Sequence, residues 1–263
     1  MKYGVDYEFT RETIGVNGHT LHRIVALRPI EYYLHKTVRD GETGGWIERP
    51  ENMADYTWVA DEGRVFGNAR LTDCAIVEGN ACVYDNACVS GYARIRDNAT
   101  VNKEATVSGG ALVFGEASIS WNAIISEKAQ VHDKAGVSGN ALVRGHAEIS
   151  GSAYITDDAC VEEDAHVTEK ARVYGNAHIF GRVTICGHTY LGTGAVIDHG
   201  SQALSVSTYA GDDSVTFYKT ESGIWVTNWV FAKPIEEYRR YMKETLCDEM
   251  LIAADMAEMK LNM

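Results

Sequence analysis

Positive charge is scarce in this chain: 24 Lys and Arg stand against 37 Asp and Glu among 263 residues, a formal net charge of −13. Sequence-independent binding of nucleic acid depends on neutralising phosphates with Lys and Arg, so nucleic acid is not an expected partner. No stretch of 18 apolar residues and no signal-peptide pattern is present, which leads to the expectation of a soluble, cytoplasmic protein that does not engage a membrane. The six cysteines follow no zinc spacing, so no metal is expected, and they read as small, half-buried thiols. A Gly-rich phosphate loop, a Ser-His-Asp order and a paired-carboxylate motif are missing too.

What is there instead is a period. From Val65 to Ile197 every sixth residue is Val, Ile or Leu through 23 consecutive units, and Ala stands four places after each of the first 19, from Ala69 to Ala177. The unit is V-x-G/D-N-A-x. Ala and the next large apolar residue are two apart, so in an extended segment both point to one side. Gly, Asp and Asn tolerate the positive φ of a sharp corner, so each unit is a short strand plus a turn. Three units close one triangular coil, which predicts an all-β solenoid: a left-handed parallel β-helix of about seven coils, seven and a half when every unit is counted, stacked at roughly 4.8 Å. Cys88 and Cys160 then share a column four coils apart, roughly 19 Å, too far for a disulfide.

The expected organisation is a cap segment over residues 1–60, the helix over 61–203 and an appendage over 204–263. The first segment has an alternating stretch, His19 to Leu27, and a turn-rich GETGGWIERPEN; Trp46, Ile47, Tyr56 and Trp58 supply apolar bulk to seal the open core. In the last, VTFYK and GIWVTNWVF flank Thr220-Glu221-Ser222 as a β-hairpin with Gly223 near the turn. Pro234 opens an α-helix with Ile235, Tyr238, Met242, Leu246, Ile252 and Met256 near helical spacing, read as a packing face.

The segment from Leu21 to Ala69, with its L-x-x-I-x-A-L run, GGWIE and the W-V before the first coil, resembles the entry to the helix in YdcK-like hexapeptide-repeat proteins of enterobacteria and of phage or prophage genes. With the repeat, the resemblance covers roughly residues 20–200, and the tail looks like the end of phage proteins with a similar hairpin and helix. It implies a presumed acetyl-CoA-dependent acetyltransferase activity with a His general base. Hexapeptide acyltransferases often also carry an extruded loop that interrupts the repeat; here no insertion occurs, which departs from that pattern.

Residues 18 apart stack, so Lys128, His146, Asp164 and Arg182 form one corner column beside the outward Gln130, Glu148 and His166. As an acyltransferase site, His146 or His166 would be the base, steadied by Glu148 or Asp164; alternatively Lys128 and Arg182 clamp an anion. The same residues fit a solvated corner whose mixed charges keep the solenoid soluble. Arg94 and Arg96 offer a phosphate contact. Tyr218, Lys219, Trp225 and Trp229 place aromatics and a cation on a hairpin that would stack a nucleobase or, equally, bury the terminal coil. Outward Thr100, Asn102, Ser118, Ser120, Gly136 and Ser138 make a small, flat face suited to close approach of another chain, so a homotrimer is expected.

Three readings follow. The first is a non-catalytic, phage-type binding scaffold that sequesters a nucleotide-like small ligand or blocks a host defence protein, without a cofactor. The second is an acyltransferase using acetyl-CoA. The third is a structural spacer in a larger assembly.

Overall fold

In a computed structural model, the described residues are 6–32, 36–54, 56–199, 202–207, 214–228, 230–245 and 248–262. The hexapeptide period builds a left-handed parallel β-helix with three faces, each strand two residues long. The first face runs from Arg64–Val65 to Tyr190–Leu191, the second from Arg70–Leu71 to Val196–Ile197, and the third from Trp58–Val59 to Thr184–Ile185. Successive rungs of a face pair in register 18 residues apart, as Cys82 does with Thr100 and Glu148 with His166. The coils number about eight, slightly more than the sequence count. The reason is that Trp58–Val59 already pairs with Ile76–Val77 although Gly63 stands where its unit would carry Ala. The Val/Ile column and the Ala column fill the interior; Val65 through Ile179 and Ala69 through Ala177 in these columns are at most 1 % exposed.

The corners explain much of the acidic excess. Along one edge the left-handed position alternates Asp61, Gly79, Asp97, Gly115, Asp133, Gly151, Glu169, Gly187, all at positive φ. Each acid accepts the amide hydrogen of the glycine one coil on: Asp61 from Gly79 at 3.0 Å, Asp97 from Gly115 at 3.0 Å, Asp133 from Gly151 at 3.0 Å, and Glu169 from Gly187 at 2.8 Å. The glycine has a second reason to be there, since a Cβ on Gly151 would lie 2.7 Å from the backbone nitrogen of Glu169. An Asn ladder runs beside another corner, with Asn68 bonded to Asn86 at 2.9 Å and Asn122 to Asn140 at 2.9 Å.

The N-terminal segment extends the first face. Strands Tyr7–Val16 and His19–Ala26 form a hairpin around Asn17-Gly18, both at positive φ, and Thr43–Ile47 joins it to Arg64–Val65. Thr43–Ile47 is therefore a strand where the sequence read as a turn, and its glycines serve close packing: a Cβ on Gly44 would lie 2.7 Å from both Ile24 and Trp58. Ile24, Ile30, Val38, Ile47 and Trp58 seal the core. Trp46 and Tyr56 do not. Trp46 and Trp58 both precede an inward residue of their strands, but Trp58 is covered beside Ile24 by the N-terminal segment. Trp46 instead packs with Leu21 and Phe66 apart from the core, its indole bonded to Glu62 at 2.9 Å and covered by Arg23 at 4.3 Å; Tyr56 is exposed.

At the other end, strands Ala203–Ser207, Ser214–Thr220, Gly223–Thr227 and Ala232–Pro234 form an antiparallel sheet. It includes the expected hairpin about Glu221-Ser222. Ser214–Thr220 is buried on both sides: Val215 and Phe217 meet the helices, whereas Thr216 and Tyr218 face the last coil. The expected single helix is two, α1 (Ile235–Glu244) and α2 (Asp248–Leu261), held by Arg239, which bonds Asp255 at 2.7 Å and Glu258 at 2.6 Å. Ile235, Tyr238 and Met242 are buried as expected, but Ile252 and Met256 are 60 % and 52 % exposed. A helix that begins afresh sets its own rotation, and α2 buries Met250, Ala253, Ala254, Ala257 and Leu261 instead. Leu246 lies outside the described residues.

Candidate functional site

The polar ridge on the third face forms largely as stacking dictates, with one residue the sequence reading missed. Glu148 bridges two imidazoles: Oε1 lies 2.9 Å from His132 Nε2 and Oε2 lies 3.3 Å from His166 Nδ1. His132 is also 3.3 Å from Asp133 and stacks on Phe114 with ring centroids 4.6 Å apart. His132 precedes Glu148 by 16 residues rather than 18, because the corner residue after an inward Val meets the outward residue before the inward Val of the next coil. The same diagonal joins Glu78 to Arg94 and Ser138 to Tyr154. His146 is looser: it is exposed, 3.8 Å from Asp164, which Arg182 approaches at 3.5 Å. Lys128 stands exposed at the foot of that column. The ridge therefore brings Glu148 and His166 together and leaves His146 on a separate, solvent-facing pair.

The first face carries a more enclosed arrangement. Its middle floor is small, Thr100, Ser118 and Gly136 outward with Asn102, Ser120 and Ser138 at the corner. At the C-terminal end of the floor, Tyr154, Thr156, Asp157, Arg172, Tyr174 and Tyr190 line a cleft of about 200 Å³. The Tyr154 ring lies over Gly136, where a Cβ would be 2.6 Å from it, and its hydroxyl is 2.6 Å from that of Ser138. Tyr174 leans over Gly192 and its hydroxyl meets Thr227 of the terminal sheet, so the sheet buttresses the cleft. Burial pushes the Tyr174 phenol up, the Thr227 bond opposes this, and Tyr190 and Asp157 add to the rise; the group is neutral at physiological pH.

Of the remaining candidates, four make structural contacts. Arg94 pairs with Glu78 at 2.5 Å and Arg96 lies over Phe114 at 4.6 Å, so neither guanidinium is aimed at open solvent. Tyr218 is fully buried in the solenoid core cluster and Trp225, its cross-strand partner, packs against the same cluster. The alternation of their strands turns both toward the open core, where Tyr218 plugs the last coil and Trp225 stands half-buried beside it. The Tyr218 hydroxyl donates to Thr193 O at 3.3 Å, and burial raises its phenol. Lys219 is exposed on the strand end beside them. Trp229 lies outside the described residues. No helix among the described residues is long and apolar enough to cross a membrane.

Compared with known protein families and with curated proteins, the chain matches none.

Proposed function

We propose that the protein is a non-catalytic binding scaffold of the phage or prophage, YdcK-like hexapeptide-repeat kind, acting in the cytoplasm of a bacterial host and holding a small planar, nucleotide-like ligand on its first face. The observation that carries this reading is the convergence of Tyr154, Tyr174, Tyr190 and Arg172 on one cleft at the edge of a small-residue floor. Aromatic faces take a base by stacking, worth about 1–3 kcal/mol per base, and a guanidinium suits a phosphate. The floor lets a second copy approach closely, and a homotrimer built on it would deepen the cleft. Trp121 supports the same edge: it is an exposed indole on the corner that borders the floor, open to stacking.

The test is to expose the purified protein to lysates of healthy and phage-infected bacteria, denature it and weigh what it releases. A nucleotide retained by the natural protein and lost from Tyr154→Ala and Tyr190→Ala is expected. A preparation that carries no small molecule and binds no nucleotide by calorimetry overturns the ligand; a co-purifying host protein in its place would redirect the same face to a defence protein.

A second reading rests on Glu148. A carboxylate that orients two imidazoles is the equipment of a general base, so an acetyl-CoA-dependent acyltransferase using His166 is the alternative. Acetyl transfer that survives replacement of both His146 and His166 would remove it.

A further inference from the structure

The second face holds a cluster of different chemistry. Cys160 and His178 are outward partners on adjacent rungs, paired in register, and Glu162 stands on the adjoining corner. Their donor atoms, one thiol sulfur, one ring nitrogen and one carboxylate oxygen, all lie within 4.8 Å of one another, and among the described residues this is the one group of three such side chains that does so. The positions are stiff. Cys160 N and His178 N donate to Ala177 O and Ala195 O at 2.8 Å each, and Glu162 N donates to Ile179 O at 2.9 Å. The His178 ring is backed by Phe180, centroids 4.7 Å apart.

The orientation of the carboxylate is set as well. Glu162 Oε2 is held by Arg144, whose Nε is 2.5 Å away, which leaves Oε1 turned toward His178 Nε2. An outer hydrogen bond that aims a ligand in this way is a regular companion of metal coordination.

We propose that Cys160, Glu162 and His178 bind one zinc ion, with a fourth position open to water or to a ligand. Metal bonds of about 2.0–2.3 Å place donors roughly 3–4 Å apart around the ion, a distance these side chains reach by small rotations without moving the backbone. The ion takes the place of the proton shared between Glu162 and His178 and of the thiol proton, and Arg144 stays on the outer oxygen. Thiolate with imidazole and one carboxylate suits zinc, whereas magnesium and calcium want oxygen throughout. Val161 and Ile179, which face the core, take no part.

The experiment uses the full chain, reduced and stripped with chelator, titrated with Co²⁺ and then Zn²⁺. The expected result is one equivalent of Co²⁺ with a near-ultraviolet thiolate-to-cobalt band and tetrahedral visible bands, both bleached by Zn²⁺. Cys160→Ser abolishes the ultraviolet band, and His178→Ala weakens Co²⁺ binding at least about tenfold; Cys88→Ser, in the same outward column but outside the cluster, changes neither. Circular dichroism checks that each variant keeps its fold, and His178→Gln replaces any that does not. No thiolate band in the natural protein, or a band that persists in Cys160→Ser, overturns the proposal.

Discussion

Gly151 donates its amide hydrogen to the Asp133 carboxylate one coil before it, at 3.0 Å, while both residues hold left-handed backbone at φ 64 and 58. The pair is the unit from which that edge of the solenoid is made. Gly151→Ala adds a Cβ in a left-handed conformation and pushes it toward Glu169 N. The expected cost is about 1–2 kcal/mol, read as a lower midpoint in urea with an unchanged slope.

Asp133 also gives the molecule an acid limb. The Gly151 bond first, then the His132 contact, holds its carboxyl below the usual Asp range, against a small opposing effect of burial. A folded value below the unfolded one means a contribution that is whole above the unfolded pKa of about 4 and disappears as pH falls through the folded value. Asp133→Asn keeps an acceptor for Gly151 and no longer titrates. Its melting temperature should therefore decline less steeply than that of the natural protein between about pH 5 and pH 2.

Val137 is fully buried on the first face, between Ile119 of the rung before it and Ile155 of the rung after it. Val137→Asp puts a carboxylate there with nothing to pair it, which costs several kcal/mol. The expected outcome is loss of the folded helix; a soluble variant with an unchanged circular dichroism spectrum would contradict the inward placement.

Tyr218 plugs the last coil. Tyr218→Ala opens that end to water and should cost about 3–5 kcal/mol, whereas Tyr218→Phe gives up only the bond to Thr193 O, about 0.5–1.5 kcal/mol. Equal losses in the two variants would mean that the hydroxyl, and not the ring, secures the end.

Trp121 stands at a left-handed corner whose column carries Gly67, Gly139 and Gly175 and, at the same positive φ, the smaller or flexible Asp85, Lys103 and Asp157. Trp121→Gly relieves that strain and should raise the melting temperature slightly, by about 1 kcal/mol of stability. On the proposed scaffold reading it weakens binding at the same time, a separation measured by melting and ligand retention on one preparation.

The architecture was legible because an inward Val or Ile and an inward Ala recur at fixed places, and a core that must close on itself accepts little else. The alternation of acid and glycine along Asp61 to Gly187 was equally open to reading in the sequence, as was the Asn17-Gly18 hairpin turn. The 18-residue column found His166 over Glu148. It did not reveal His132 or the pairing of Glu162 with His178, which lie on a 16-residue diagonal around a corner. That diagonal depends on how far a corner side chain leans toward the next coil, a geometric fact with no signature in composition.

What the sequence by itself determined is the solenoid and the C-terminal hairpin, since hydrophobic period, corner conformation and hairpin turns are properties of a few neighbouring residues. What only the tertiary structure decided is where each aromatic and each ionisable group goes. Trp58 seals the core while Trp46 lies outside, Tyr218 is a plug while Tyr154, Tyr174 and Tyr190 line a cleft, and Cys160 meets His178 and Glu162. Those outcomes depend on which side of a strand faces inward, on which coil stands next to it and, for Trp58 and Trp46, on which part of the N-terminal segment covers it, and none of these is set by a few neighbouring residues.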